Sequence, residues 1–173
     1  PWNKLMKRSL FTDHQLHFAE GMIYEDYALI PQLANWAETI TYVKKPYIHY
    51  WQSACSIMRG EGYREKSKDI LKASELLING LELQRFHDEA EAVVYEHMLQ
   101  NSSRYFLEHD HLEVIDEIAD LMKQYFPQWH KNPYIAQRSK KERLIGWLFY
   151  KHQAKLVKKL VASKQKIRSE VND

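Results

Sequence analysis

The sequence predicts a mainly α protein, with a small α+β portion at its start. Three observations carry this. Apolar residues recur at helical spacing through most of the 173 residues. Gly and Pro number only five each, too few for an architecture of many tight turns. Two short runs rich in β-branched and aromatic residues stand close together near residue 40. The expected division is residues 1–60, carrying the two strands, and 61–173, a helical region ending in a long basic helix.

Residues 1–17, PWNKLMKRSLFTDHQLH, read as a short helix or turn. Gly21 then breaks any helix and permits an unusual backbone angle. From about Asp26 a helix is predicted, because Tyr27, Ile30, Leu33, Ala34 and Ala37 share one face. Pro31 is tolerated within its first turns. TITYV at 39–43 and PYIHYW at 46–51 read as strands, separated by Lys44, Lys45 and Pro46. Gly60 and Gly62 mark a boundary.

Everything beyond reads as helix. Ile70, Ala73, Leu77 and Leu81 form one stripe within 64–84. A less regular stripe, Ala90, Val93, Val94, Met98 and Tyr105, runs through 86–107. Asp110 with Glu113 predicts a capping box for a helix carrying Leu112, Ile115, Ala119 and Met122 and ending before Pro127. A loop, PQWHKNPYIAQR, covers 127–138. Ser139 with Glu142 predicts a second capping box, opening one basic helix to about Lys166.

Composition narrows the function classes. Apolar residues at 45% and aromatics at 13% describe a globular chain, not a disordered one. A single cysteine, Cys55, cannot form an internal disulfide, and a reducing, cytoplasmic setting is the default. No run of 18 apolar residues exists to span a membrane, and no signal peptide is visible at the start. The net charge of +2 conceals an asymmetry. Residues 138–168 carry eleven Lys and Arg against one acid, whereas 1–137 carry fourteen basic and twenty acidic side chains. With Trp147, Leu148, Phe149 and Tyr150 among its residues, the basic helix 139–166 suits an anionic membrane surface. Nucleic acid is not expected, since no recognised motif for it is present.

Chemistry-bearing motifs are few. GxGxxG, a Walker lysine loop, GxSxG, HExxH and Asp-x-Asp are all missing. The pairs His14–His17 and His109–His111, the latter with Asp110 between, lack a converging third ligand and read better as solvated faces or loop ends. Cys55 has no evident His partner for a nucleophilic role. Glu25 and Asp26 stand together at a predicted helix start. There the helix dipole favours ionised carboxylates, and an ionised carboxylate can accept a proton from a hydroxyl. An ordinary acidic helix cap is the competing reading.

Three ordered stretches bear on that choice. PWNKLMKRSLF resembles the W-N-K-hydrophobic-x-[KR]-R-x-L-[LF] segment of bacterial family 2 glycosyltransferases. HFAEGMIYEDYALIPQLANWAETITYVKKPYIHYW is similar to their F-x-E-G-x-x-x-E-D segment with the helix and two strands that follow, and SIM at 56–58 to the G-S-I-M that closes it. The order and spacing fit across residues 1–58, and WHKNPYI at 129–135 is similar to a W-x-K-N-x-Y loop of such enzymes.

The resemblance implies the acceptor-side, C-terminal portion of a GT-A catalytic domain followed by a helical region. The half that binds the nucleotide-sugar donor would lie outside these residues, and with it the Asp-x-Asp ligands of a divalent metal, Mg or Mn. Asp26 would be the catalytic base of an inverting transfer to a hydroxyl acceptor, a glycan or polyol, with Glu25 as its neighbour. Trp2 and Tyr24 are candidates for stacking on an acceptor sugar, and Asn3 and Lys4 for polar contacts. The implied role is assembly of cell-surface polysaccharide, teichoic acid or glycoprotein, in the cytoplasm or on the inner face of the cell membrane. Trp51, Ser53 and Cys55 replace two arginines and a glycine of the family pattern, so substrate contacts from that loop do not carry over. Exposed strand edges leave a homo-oligomer open. The alternative function is a non-enzymatic helical module that binds a partner or a membrane surface.

Overall fold

A computed structural model describes residues 3–49, 51 and 66–172, with side chains as far as 163. It is mainly helical, and no strand occurs among the described residues. The chain divides into two compact units, Pro1–Phe86 and His87–Asp173.

In the first unit, α1 spans Ser9–Thr12 and α2 spans Glu25–Leu29, continuing as a 3-10 turn over Ile30–Asn35. The predicted helix therefore exists, but changes type at Ile30. Pro31 sits at the opening of the 3-10 stretch, where its missing N–H breaks no helical bond. The third helix, α3, spans Asp69–Gly80, and α2 packs against it. Ile70, Ala73, Leu77 and Leu81 are all buried, as their stripe predicts. Tyr27 buries its ring and meets Ser74 Oγ at 3.0 Å through its hydroxyl. Asn35 closes the end of α3: its Nδ2 donates to the Gly80 carbonyl at 2.8 Å and its Oδ1 accepts from the Glu82 N–H at 2.9 Å.

The two expected strands are a correction. Residues 39–49 and 51 run without strand pairing, and Ile40, Tyr42, Val43, Tyr47, Ile48 and Trp51 are exposed. β-branched and aromatic side chains favour a pleated surface only where a neighbouring strand takes up the backbone bonds. No described segment supplies that neighbour.

α4 spans Leu83–Val94, with Phe86 at φ −121° and ψ 30° interrupting its helical course at the end of the first unit. The second unit continues through a π-helical stretch, Tyr95–Ser102, into α5, Ser103–Glu108. Most of its buried residues recur in pairs every four positions: Ala90 and Glu91, Val94 and Tyr95, Met98 and Leu99, Ser102 and Ser103, Phe106 and Leu107, with Gln100 buried besides. At 100° per residue a four-residue repeat drifts by about 40° per step. The wider π turns absorb that drift and keep the pairs inward. This explains the irregular stripe of the sequence, in which Val93 and Tyr105 prove only half-buried.

α6 spans Leu112–Tyr125 and buries Ile115, Ala119 and Met122, with Leu112 half-buried. The capping box assigned to Asp110 is a correction: His111 is the N-cap residue and no side chain caps the helix. Asp110 instead has φ 64° and accepts from Lys158 Nζ at 2.6 Å. A 3-10 turn, Trp129–Lys131, and α7, Pro133–Ala136, form the loop before α8, Lys140–Tyr150.

The second capping box is present in both halves. Ser139 Oγ accepts from the Glu142 N–H at 3.2 Å, and the Ser139 N–H donates to Glu142 Oε2 at 3.1 Å. The single basic helix 139–166 is a further correction. It breaks after Tyr150 and resumes as α9, Ala154–Asn172. At the break His152 takes φ 56°, a region costly for a residue with a Cβ. Its Nδ1 meets Asp116 Oδ1 at 2.9 Å and its Nε2 stands 3.1 Å from Asp120 Oδ1 on α6. Those contacts add to the backbone bonds that close the turn, from the His152 N–H to the Phe149 carbonyl at 2.9 Å and from the Gln153 N–H to the Leu148 carbonyl at 2.8 Å.

Candidate functional site

Glu25 and Asp26 open α2, and both are half-buried. Asp26 Oδ1 accepts from the Tyr27 N–H at 2.8 Å. Tyr24, the N-cap residue, is held at φ 67°, a conformation unusual for an aromatic residue. The preceding segment is tied to α3 by the Ile23 N–H, which donates to Asp69 Oδ2 at 3.0 Å. Lys66 Nζ donates to the Gly21 carbonyl at 3.1 Å, and Gly21 has the positive φ, 74°, that its sequence position suggests. The carboxylate pair thus stands on a short helix fixed at both ends, by Asp69 before it and by the Tyr27–Ser74 contact after it.

A shallow cavity of about 280 Å³ adjoins it, lined in part by Gln15, His17, Glu25, Ala28 and Gln32. Glu25 faces that space, whereas Asp26 is not among its lining. Gln32 also donates to the Ala28 carbonyl at 2.7 Å and the Leu76 carbonyl at 3.2 Å, which fixes the cavity's inner wall. Among the other sequence candidates, Asn3 and Lys4 are exposed and bond to each other, Lys4 Nζ donating to Asn3 Oδ1 at 2.7 Å. Trp2, Ser53 and Cys55 lie outside the described residues.

His14 stacks on Trp36 at 3.9 Å between ring centroids, while His17 lines the cavity. His109 stacks on Tyr105 at 4.2 Å, and its Nδ1 lies 2.8 Å from the Tyr105 carbonyl. His14 and His109 are thus engaged in ring stacking, while His17 and His111 are exposed.

A second polar centre, in the unit His87–Asp173, was not legible as a site. The loop around Trp129 and Asn132 is buried against the start of α4. Asn132 Nδ2 donates to the Asp88 carbonyl and to Glu91 Oε2, both at 2.8 Å. Its Oδ1 accepts from the Tyr134 N–H at 2.9 Å and the Ile135 N–H at 3.2 Å, capping α7. Trp129 stacks on Tyr95 at 5.0 Å. Glu91 is only 3% exposed, and its Oε1 is buried with no hydrogen-bond partner. Burial pushes its carboxyl above the ordinary carboxylate range, against the bond from Asn132. His87, Asp88 and Glu91 each bring a ligand atom within 4.8 Å of the others. The available signal was His87 and Glu91 four apart on one helix face, followed forty-one residues later by the Asn132 that holds Glu91.

The metal implied by the glycosyltransferase resemblance does not fit the described residues. Its Asp-x-Asp pair is missing from the sequence. The one His, Asp and Glu group of suitable spacing among them comes from a single turn of α4 and does not include Glu25 or Asp26.

The chain matches no family model, and neither a curated protein nor a solved structure is significantly similar to it. Among the described residues, no helix is long and apolar enough to cross a membrane.

Proposed function

We propose that this chain is the acceptor-side, C-terminal portion of an inverting family 2 glycosyltransferase, with Asp26 as its base. The observation that carries the reading is the EGMIYED stretch. Its two carboxylates are seated on an anchored helix start, with Glu25 facing a shallow cavity of mixed polar and apolar lining. On this reading a hydroxyl of an acceptor seated against Glu25 projects beyond the cavity's lining and gives its proton to Asp26. Its oxygen then attacks the anomeric carbon of a nucleotide-sugar from the face opposite the leaving nucleoside diphosphate. Glu25 orients the acceptor through its second hydroxyl, and Tyr24 offers its ring face to the sugar. The donor would be held by residues outside this chain, so the 173 residues alone would not transfer sugar.

The test uses the protein together with its donor-binding half, assayed for transfer from a panel of nucleotide-sugars. Asp26→Asn should still bind donor but lose transfer by about a hundredfold or more, the low end for a general base. Near-normal transfer by that variant would overturn the assignment.

A second reading, a surface that docks on anionic membrane, is favoured by the outer face of α8 and α9. Leu144, Trp147, Leu156, Leu160 and Val161 are exposed there. Lys140, Lys141, Lys155 and Lys159 are exposed on the same two helices. Apolar side chains within a basic surface suit a bilayer interface carrying acidic lipid. Deleting the helices would also remove the buried Phe149 and Val157, so charge reversal is the cleaner test. The chain should float with phosphatidylserine vesicles at low salt and detach at high salt. Reversal of those four lysines to Glu should abolish flotation. Equal, salt-insensitive flotation of both forms would dismiss membrane docking by charge.

A further inference from the structure

We propose that His87, Asp88 and Glu91 form a divalent metal site of the zinc class at the start of α4, closing the loop that Asn132 holds against that helix. This centre lies outside the residues assigned to glycosyl transfer and stands whether or not that assignment does.

Four observations bring the proposal forward. The three ligand atoms lie within 4.8 Å of one another. His87 Nδ1 stands 3.4 Å from Asp88 Oδ1, and two ligands about 2.1 Å from a tetrahedral ion stand about 3.4 Å apart. Glu91 is anchored, its Oε2 accepting from Asn132 at 2.8 Å. Its other oxygen, Oε1, is buried without any donor.

A buried carboxylate oxygen is normally paired, because an uncompensated one is strongly disfavoured. A cation beside it supplies the missing partner. Bringing the three atoms onto one ion calls for rotation of the His87 and Asp88 side chains, which are about half exposed.

The donor set decides the class of ion. One imidazole nitrogen with two carboxylate oxygens is a mixed set that suits zinc and its first-row neighbours. Calcium and magnesium take shells made of oxygen alone. Three protein ligands leave a fourth position, which water would fill on the solvent side. His87 also packs edge-on against Phe126, with centroids 5.7 Å apart, which limits how far its ring can swing. Asn132 is the outer support: it fixes the Glu91 carboxylate and, through the Asp88 carbonyl, the backbone beneath the second ligand. A metal here would therefore fasten the Trp129–Asn132 loop to α4.

The experiment uses the 173-residue chain without an affinity tag, dialysed against a chelator and then titrated with Zn²⁺ and with Co²⁺. One ion should bind per chain, Co²⁺ should develop visible d–d absorption, and Zn²⁺ at saturation should raise the melting temperature by about 5 °C or more. His87→Ala and Glu91→Gln should each weaken binding at least about tenfold and lose the thermal shift. His87 is exposed, so its variant remains folded, as circular dichroism will verify, and keeps the test decisive if the Glu91 variant unfolds. Glu91→Gln also imitates a carboxyl that is simply protonated. No uptake by the parent chain, or equal uptake and equal thermal shift in the parent and His87→Ala, would overturn the proposal.

Discussion

At the scale of single residues, position matters more than type. Gly146 lies in the middle of α8, where glycine is disfavoured by about 1 kcal/mol relative to alanine. Its presence is explained by what stands above it: an added Cβ would lie 2.7 Å from Tyr95 Oη and 2.9 Å from Gln100 Nε2. Those two side chains are themselves paired, Gln100 Nε2 donating to Tyr95 Oη at 2.7 Å and to the Glu142 carbonyl at 3.0 Å. Gly146→Ala should therefore destabilise the protein by about 1–3 kcal/mol despite its better helix propensity, measured by denaturant unfolding. A gain in stability would mean that Tyr95 and Gln100 yield easily. At Gly80 an added Cβ would also collide with a side chain, the amide of Gln32. Tyr24 shows the converse case, an aromatic residue where glycine would be easier. Such strain beside the proposed base is the kind that function maintains.

At the scale of elements, the two capping signatures had opposite outcomes. Ser139 and Glu142 make the reciprocal pair, and the bonds from Ser139 hold the Glu142 carboxyl below its ordinary range. Asp110 and Glu113 have the same spacing, yet Asp110 is turned to Lys158 by its positive φ, and Glu113 Oε1 stands 3.4 Å from His111 Nδ1. Ser139→Ala should lower stability by about 1 kcal/mol at neutral pH. The sign with pH follows from the lowered carboxyl. Its contribution is present above the ordinary carboxylate value and is lost as pH falls through the folded value. The difference between parent and variant should therefore shrink on acidification, as melting temperatures across that range will show. A difference independent of pH would remove Glu142 from the explanation.

At the scale of the whole molecule, two buried phenols set the behaviour in alkali. Burial pushes the Tyr95 hydroxyl up to about 12, with the bond from Gln100 opposing it, and raises Tyr27 further for the same cause. A raised phenol favours the neutral form in the fold. Stability is therefore full below the unfolded value of about 10 and declines as pH rises toward the folded value. For Tyr95 alone, the rise from 10 to about 12 corresponds to a loss on the order of 2–3 kcal/mol. Unfolding free energies measured from neutral pH to pH 12 should show this fall, and Tyr95→Phe should make it shallower. An unchanged slope in that variant would place the alkaline sensitivity elsewhere.

The sequence by itself determined the helical class and the faces of α3 and α6. It also determined one capping box, the backbone angle at Gly21 and the helix that starts at Glu25–Asp26. All of these are local, fixed by periodicity over a few turns or by bonds between residues three apart. Tertiary structure decided the rest. Residues 39–49 have strand-forming side chains but no described neighbour to pair with, so propensity went unused. The stripe through 86–107 looked irregular because its inward pairs repeat every four residues, a period kept up by a π-helical stretch set between two α-helical ones. The basic helix was read as continuous because no glycine marks its break: His152 takes the left-handed angle there, held by backbone bonds to the end of α8 and by contacts to Asp116 and Asp120. The His87, Asp88 and Glu91 centre depends on Asn132, forty-one residues beyond Glu91. Local pattern records which face of a helix is buried; what that face meets is decided only when distant segments come together.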